Sequence, residues 1–401
     1  MTKRMLALLL AMLCMGSLSC ASAEGVTLRT ASSFAGTEYG AQAYVEILAE
    51  WEAATGNYAD DQSYSSDETW KARVLNDFAV GNEPDVLFFF ANTSDSRPIL
   101  DKVVPIDEIN AAYPDLHLPE AEALREENGH VYAVMVRPFW EALFVNTDMF
   151  EAAGLELPTD AEKFETAIAT FNELGITPIS ISLSDVPHYI AEMSILATGP
   201  VADHQVRPKV VEEIPQSWYD GMDLIRHLSL IGAFAKNASY TTNDLSASVF
   251  IDKKAAMMLD GSWRANSIPE QNWETTLVMP FPTYSEDADP TAIVGGVSMG
   301  FYITRKAWED PQKRDAAVEL LAWMTSEESA ERLGFAFGGK LKASSQVMYD
   351  TAVANGTMSA PFQDQMDPDA RMYWMDEIPG IADGSADPVQ VLSGTIERGA
   401  F

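Results

Sequence analysis

GHVYAVMVRPFWEALFVNTDMFEAAGL, residues 129–155, is the stretch that decides the fold of this chain. Pro138 separates a β-rich run at residues 131–136 from a second apolar run at residues 143–145, and a helical pattern begins at Asn146 or Thr147. Proline holds the backbone extended and donates no hydrogen bond, so it favours a strand crossing or a sheet edge. We interpret this stretch as a passage of the chain between two lobes.

Strands and helices alternate in the residues that precede this passage. Residues 26–30 and 86–90 predict strands, residues 58–64 predict a weaker one, and residues 39–54 and 70–80 have a helical period. The run VLFFF is typical of a strand that is buried on both faces. This order predicts an α/β lobe with a parallel sheet.

The same alternation follows the passage. Residues 159–174 predict a helix, residues 177–182 and 255–259 predict strands, and two further strands are predicted at residues 273–280 and 292–303. A second α/β lobe therefore follows the first.

Ligands of such sheets bind beyond the carboxyl ends of the strands. The strand-end residues are therefore candidates for a binding site, although Asp67, one turn ahead of a helix, is better explained as a helix cap. These candidates are Ser33, Phe34, Asp67, Trp70, Phe90, Asn92 and Asp95 in the first lobe, and Asp185, with His188 and Tyr189 in the same loop, in the second.

The length and charge of the chain limit its function. With 401 residues it is long enough for two domains, and 60 acidic against 26 basic residues give a net charge of −34. Such a surface repels nucleic-acid backbones and anionic membranes. We expect no nucleic-acid partner and a monomer that is kept soluble by its charge.

The first 23 residues have the pattern of an export signal. Lys3 and Arg4 precede an apolar run, and residues 21–23 read ASA, a cleavage motif. We expect an exported protein that is extracellular or periplasmic, and the alternative is a lipid anchor at Cys20. Cys14 and Cys20 are the two cysteines of the chain, so cleavage after residue 23 would exclude disulfides and thiol chemistry.

Patterns that suggest catalysis or metal binding are weak. Residues 296–300 match G-x-S-x-G, but all five histidines precede Ser298 and the following residues continue as a strand, so a hydrolase site is disfavoured. No histidine pair has zinc spacing, and the acidic residues 286–289 lack the spacing of a calcium loop. We predict a protein that is not an enzyme, with no catalytic residue, metal or cofactor.

Four blocks of sequence in order resemble the extracellular solute-binding proteins of ATP-driven importers, specifically the sugar-binding, maltose-binding-protein-like group. The blocks are AEWEAATGN with NEPDVLFFF, the run that starts at NGHVYAVMVRPFWEALFVNTD, FIDKKAAMMLDGSW, and GGVSMGFYITRKAWEDPQKRDAAVELLAWM. Arg137 and Pro138 depart from the small polar residues that are frequent at this hinge of the family.

The resemblance implies a two-lobe α/β fold with the ligand in a cleft between lobes that are joined by crossing strands. It assigns residues 24–134 and 294–340 to the first lobe and residues 137–290 and 341–401 to the second. It also implies a membrane permease as partner. The implied ligand contacts are Phe34, Trp70, Phe89, Asn92, Trp140, Glu141, Trp263, Gly295, Gly296 and Trp374.

The chemistry of sugars agrees with these residue types. The apolar face of a pyranose stacks on an aromatic ring, and its hydroxyls bind carboxylates and amides. A mono- or oligosaccharide is therefore the expected ligand. Two alternatives stay open: a non-sugar solute such as a polyamine, which the negative charge would attract, and a secreted glycoside hydrolase with Glu141 and Asp185 as paired carboxylates.

Overall fold

The structure, a computed structural model, describes residues 25–36, 38, 40–66, 68–334 and 337–401. Its first sheet has four strands, of which the first three are parallel and the last is antiparallel. In spatial order these strands are Tyr58–Asp61, Thr27–Ala31, Val86–Phe90 and Met299–Ile303.

The helices of the first sheet form because one face of each is apolar. Ala41–Thr55 buries Tyr44, Ile47, Leu48 and Trp51, which recur at helical spacing, and it ends at Gly56 in the left-handed conformation. The α-helices of this part are Ala41–Thr55, Glu68–Ala79, Ile106–Ala112, Arg305–Glu309, Arg314–Met324 and Glu327–Leu333.

The second sheet has six strands around the long strand Phe139–Asn146. One edge of this strand pairs with Ala255–Gly261, while the other pairs first with Ile293–Gly296 and then with Thr276–Met279. Met358–Ser359 and Thr177–Ser180 are the outer strands. The central strand is thus covered on both edges by antiparallel neighbours.

Most of the remaining helices pack around this second sheet. The α-helices are Thr147–Ala153, Ala161–Glu173, His188–Thr198, Val201–His204, Gln216–Leu230, Asn243–Ile251, Ser262–Ala265, Gly339–Asn355, Pro368–Asp383 and Pro388–Glu397. Short 3-10 helices occur at Arg97–Lys102, Glu122–Leu124, Val211–Glu213, Ala238–Tyr240, Glu270–Asn272 and Phe362–Gln365.

The buried side chains form separate cores. The core of the first lobe uses residues 28–134 and 301–333, and the large core of the second lobe uses residues 143–294 and 362–400. A smaller cluster joins the second sheet to the helix Gly339–Asn355. The predicted two-lobe α/β fold is therefore observed.

The cores differ from the expected lobe boundaries at residues 294–296 and 337–340. Val294 packs in the second core, and its strand Ile293–Gly296 pairs with the second sheet. Phe337 packs in the cluster beside the helix Gly339–Asn355. The predicted strand at residues 292–303 is accordingly two strands in two different sheets, which separate after Gly296, where φ is 147°.

The passage at Pro138 also differs in detail from the prediction. Residues 131–136 make isolated bridges at Val131 and Val134 instead of a continuous strand, and the regular strand begins at Phe139. The helix begins at Thr147. The Asn146 amide does not cap this helix, because it donates to the carbonyl oxygens of residues 250 and 255.

Candidate ligand site between the two lobes

Loops at the strand ends of the two lobes are in direct contact. The Ser94 N–H donates to the Asp364 carbonyl oxygen at 2.8 Å. The Gln365 side chain donates to the Asn92 carbonyl oxygen at 2.6 Å and accepts from Arg97 at 2.9 Å. Asn92 and Asp364 therefore lie where the first lobe meets the second.

A buried ion pair crosses the same junction. Arg371 of the helix Pro368–Asp383 donates to both carboxylate oxygens of Asp95, at 3.0 and 3.1 Å. The Lys71 ammonium lies 3.3 Å from the same carboxylate, and all three residues are buried. Burial alone would raise the pKa of Asp95, but the two cations outweigh it and lower that pKa.

Arg137 connects the hinge to the first lobe. Its guanidinium donates to Glu38 at 2.7 Å and to the Leu333 carbonyl oxygen at 2.8 Å, and it lies 5.5 Å from the centre of the Phe34 ring. Burial raises the pKa of Glu38, and Arg137 opposes this increase. Arg137 lies in the first passage of the chain between the lobes, and Leu333 lies just before the last one. The hydrogen bond between them therefore links these two passages.

The second lobe contributes buried acidic side chains, the first of which is Asp260. Asp260 is fully buried near the end of the strand Ala255–Gly261. Its carboxylate accepts hydrogen bonds from Arg264 at 2.9 Å and from Asn243 at 3.2 Å. Arg264 also donates to Asp244 at 2.9 Å. Burial raises the pKa of Asp260, while Arg264 opposes this increase.

Glu141 pairs across the sheet with Gly261, the neighbour of Asp260, and no ion pair with a cation is described for it among the residues that the structure covers. The side chain is 4% exposed, and its Oε2 has no hydrogen-bond partner among the described residues. Met193, Leu196 and Ile293 line a small pocket beside it. Burial raises the pKa of Glu141 well above its usual range, and the negative charges of Asp364 and Asp260 raise it further.

Aromatic side chains stand next to these carboxylates. The Trp263 ring is half-buried, 6.0 Å from the Tyr189 ring and 6.2 Å from the Phe139 ring. It folds back over Gly261, where a Cβ atom would lie only 2.2 Å from the indole. Glycine at this position is therefore required for the observed ring placement. Burial raises the pKa of the Tyr189 hydroxyl, the charges of Asp260 and Glu141 raise it further, and Arg264 opposes them.

The structure places six of the predicted site residues at the junction or on the edge of the second sheet that faces it. Trp263, Glu141 and Asn92 have been described, and Gly295 and Gly296 end the strand that pairs with Phe139–Asn146. Asp185 is exposed at the rim, where its carboxylate accepts from the Asn243 N–H at 2.8 Å. Asp185 is therefore exposed, whereas Glu141 is buried, and the two carboxylates have different neighbours.

Five predicted residues lie in cores instead. Phe34, Trp70 and Phe89 are at most 2% exposed within the first core. Trp140 packs in the cluster beneath the helix Gly339–Asn355, because alternate residues of a strand point to opposite faces and Glu141 occupies the other face. Trp374 is fully buried, with its ring 5.2 Å from that of Phe362. Asp67 lies outside the described residues.

Several residues of the junction were not among the predicted contacts. They are Lys71, Asp95, Tyr189, Asp260, Arg264, Asp364 and Arg371. Asp95 and Tyr189 follow strands and are named by the strand-end rule, but neither was carried over as a ligand contact from the resemblance. Nothing in the local sequence distinguishes Arg371 from other arginines on helices.

The catalytic and metal patterns find no support in the described part of the chain. Residues 299–303 continue as a strand after Ser298, which is not the strand–turn–helix of a hydrolase elbow. Residues 25–334 and 337–401, with the gaps given above, contain no group of three or more side chains that could hold a metal ion. No helix among the described residues is long and apolar enough to cross a membrane.

Comparisons with known proteins agree on the fold. The family model described as bacterial extracellular solute-binding protein matches residues 35–331. No curated protein matches this sequence. The chain is similar to a solved structure reported for xylan utilization by Caldanaerobius polysaccharolyticus, with 20% identity, a TM-score of 0.76, and coverage of 93% of this chain and 100% of the other.

Two further structures are similar over the same extent. A chitin oligosaccharide binding protein shares 18% identity with a TM-score of 0.77, and coverage is 93% of this chain and 98% of that protein. Maltose-bound MalE3 of T. maritima shares 13% identity with a TM-score of 0.74, and coverage is 93% of this chain and 99% of that one. At these identities the likeness shows the fold alone.

Proposed function

The chain belongs to the bacterial extracellular solute-binding proteins, and we propose that its solute is a mono- or oligosaccharide held between the two lobes. This is a family of binding proteins and not of enzymes, in agreement with the sequence. The observation that carries the proposal is the half-buried Trp263 ring beside the carboxylates of Asp260 and Glu141. An aromatic face with adjacent hydrogen-bond acceptors matches the two surfaces of a pyranose.

The similar structures give independent support. Two of them are a chitin oligosaccharide binding protein and a maltose-bound protein. We infer that the present chain binds a related carbohydrate, with Trp263 as the stacking platform and Glu141, Asp260 and Asn92 as partners of the hydroxyls. Gly295 and Gly296 would let the sugar approach the backbone. Asp185, at the rim, would contact only a longer ligand.

Function follows from closure of the lobes. A sugar that contacts both lobes binds the closed state more tightly, and it shifts the population towards that state by this difference in affinity. The membrane permease of an ATP-driven importer would then recognise the closed form. We propose that residues 25–136 with 297–334 form one lobe and that residues 137–296 with 337–401 form the other. The exported protein would act as a monomer, either after its export signal is cleaved or anchored to the membrane through Cys20.

A thermal-shift screen against mono- and oligosaccharides tests the proposal. A sugar at 100 times its dissociation constant should stabilise the protein by about 2.7 kcal/mol. If no sugar raises the unfolding midpoint while a non-sugar solute such as a polyamine does, the carbohydrate assignment is wrong. Chromatography of the sugar after incubation should show no products, and their appearance would indicate a hydrolase.

The variant Trp263→Ala tests the stacking platform. We expect it to weaken the binding of the sugar found in the screen at least tenfold, about 1.4 kcal/mol, with little change in the unfolding midpoint of the free protein. Trp323→Ala is the matched control, since Trp323 is a half-buried tryptophan packed against the core of the first lobe. An unchanged affinity of Trp263→Ala would remove this residue from the site.

A further inference from the structure

The charges around Glu141 are unbalanced. Burial raises the pKa of Glu141, and the two charged residues that raise it further, Asp364 and Asp260, are both negative. Burial and Glu141 also raise the pKa of Glu192, but there the Arg207 guanidinium opposes the increase. All four carboxylates are more than nine-tenths buried. Buried carboxylates normally have a cation or several hydrogen-bond donors, because leaving water is costly for an ion.

The cations of this region already have acidic partners. Arg264 binds Asp260 and Asp244, and Arg371 and Lys71 bind Asp95. Asp364 accepts from the Gln363 side chain at 2.7 Å, and although burial raises the pKa of Asp364, the nearby charges of Lys71 and Arg371 oppose this increase. The Oε2 atom of Glu141, in contrast, has no partner within the part of the chain that the structure describes.

The neighbouring aromatic rings favour the same kind of ligand group. Tyr189 is 6% exposed, and its ring lies 6.0 Å from that of Trp263, which folds over Gly261, the residue paired with Glu141 across the sheet. Burial raises the pKa of the Tyr189 hydroxyl, the negative charges of Asp260, Glu141 and Asp364 raise it further, and Arg264 opposes them. The face of an aromatic ring attracts a cation, most strongly where water is excluded. A site with carboxylates on one side and aromatic rings on the other suits an ammonium group better than a neutral hydroxyl.

We propose that the bound carbohydrate carries a basic amino group, and that this group binds at the Glu141 carboxylate beside Asp364 and the Tyr189–Trp263 rings. The inference rests on the proposed function and specifies its substrate class: an amino sugar with a free amine. A hydroxyl can donate one hydrogen bond to Glu141, whereas an ammonium group donates up to three and also neutralises the charge.

Isothermal titration calorimetry with matched sugars tests this inference. The amino members are glucosamine, galactosamine and the β-1,4-linked glucosamine trimer; glucose, galactose and cellotriose are their neutral counterparts. The N-acetylated trimer retains the nitrogen without its charge. We expect at least one amino sugar to bind tenfold or more tightly than both its hydroxyl counterpart and, for the trimer, its N-acetylated form.

Glu141→Gln localises the effect, because it keeps the shape of the side chain and removes its charge. This variant should weaken amino-sugar binding at least tenfold and weaken the binding of the matched neutral sugar clearly less, because a hydroxyl loses only part of a hydrogen bond whereas an ammonium group also loses its counter-charge. Glu286→Gln, in an exposed acidic loop, removes one charge elsewhere and should leave both affinities unchanged.

Each remaining outcome overturns the inference. If neutral sugars bind as tightly as amino sugars, or if no amino sugar binds, the ligand has no amine at this site. Tight binding of a neutral sugar would leave the proposed function standing, whereas a complete absence of sugar binding would contradict both. An equal loss for Glu286→Gln would show a general charge effect instead of a contact at Glu141.

Discussion

The two lobes face the cleft with different chemistry. In the first lobe the aromatic residues Phe34, Trp70 and Phe89 are core residues, and the junction is formed by charged and amide side chains such as Lys71 and Asp95. In the second lobe the rings of Tyr189 and Trp263 lie beside the site. From this comparison we propose that the second lobe supplies the stacking surface and that the first lobe closes over it through polar contacts.

The largest expected effect separates a core tryptophan from a site tryptophan. Trp374→Ala should lower the free energy of unfolding by about 3–5 kcal/mol, because it leaves a cavity against Phe362 in the second core. The affinity of the folded variant for its sugar should stay within threefold of wild type. Chemical denaturation and calorimetry measure the two quantities, and a stable variant with lost affinity would place Trp374 in the site.

The next effect concerns the ion pair across the junction. Arg371→Ala should lower the free energy of unfolding by about 3 kcal/mol, since it removes a cation that binds both oxygens of the buried Asp95. Small-angle scattering of the free protein should also show a more open molecule. Arg398→Ala is the control, because Arg398 lies on the exposed end of another helix of the same lobe and donates only to the Gly394 carbonyl oxygen among the hydrogen bonds described.

A smaller effect tests how the Trp263 ring is positioned. Gly261→Ala adds a Cβ atom that would meet the indole at 2.2 Å, so the ring must move away from its present place. We expect sugar affinity to fall about tenfold, roughly 1.4 kcal/mol. Other glycines make poor controls, because Gly154 has a positive φ and a Cβ atom at Gly334 would lie 2.9 Å from the Ala330 carbonyl oxygen. The unfolding midpoint of Gly261→Ala is therefore measured alongside its affinity, so that a loss of binding is separated from a loss of folding. Unchanged affinity would mean that the ring position does not matter for binding.

The smallest effect is the pH dependence that Glu141 imposes. Its pKa is raised in the folded protein, so the folded state keeps the proton longer than the unfolded chain. Ionisation of Glu141 therefore destabilises the folded state. This loss of stability is absent below the pKa of the unfolded chain, about 4.3, and grows as the pH rises towards the pKa of the folded state. Glu141→Gln should therefore become more stable relative to wild type as the pH increases from 4 to 7. A constant difference in unfolding midpoint would contradict the raised pKa.

The sequence predicted the elements well where a local pattern defines them. The buried run VLFFF is a strand in the structure, and the apolar spacing of residues 39–54 corresponds to the helix Ala41–Thr55. It failed where one run divides between two sheets. The strand predicted at residues 292–303 reads as continuous, yet Ile293–Gly296 and Met299–Ile303 have different partners.

The candidate site was predicted only in part. Glu141 and Trp263 were selected and lie at the junction, whereas Trp140, next to Glu141, faces a core. Residue type alone cannot separate these two outcomes, because a tryptophan satisfies either a core or a sugar face. The direction of each side chain depends on which face of the strand is covered by a helix.

By itself, the sequence determined the two-lobe α/β fold and the family, because strand and helix periods and the order of the blocks are local properties of the chain. Tertiary structure alone decided which aromatic rings reach the cleft and which charges meet there. Arg371 and Asp95 are 276 residues apart in the sequence. They bind each other only because the fold brings the helix Pro368–Asp383 of the second lobe next to a strand-end loop of the first. Burial and pairing are properties of such distant contacts, so they determine the chemistry of the site after the fold is set.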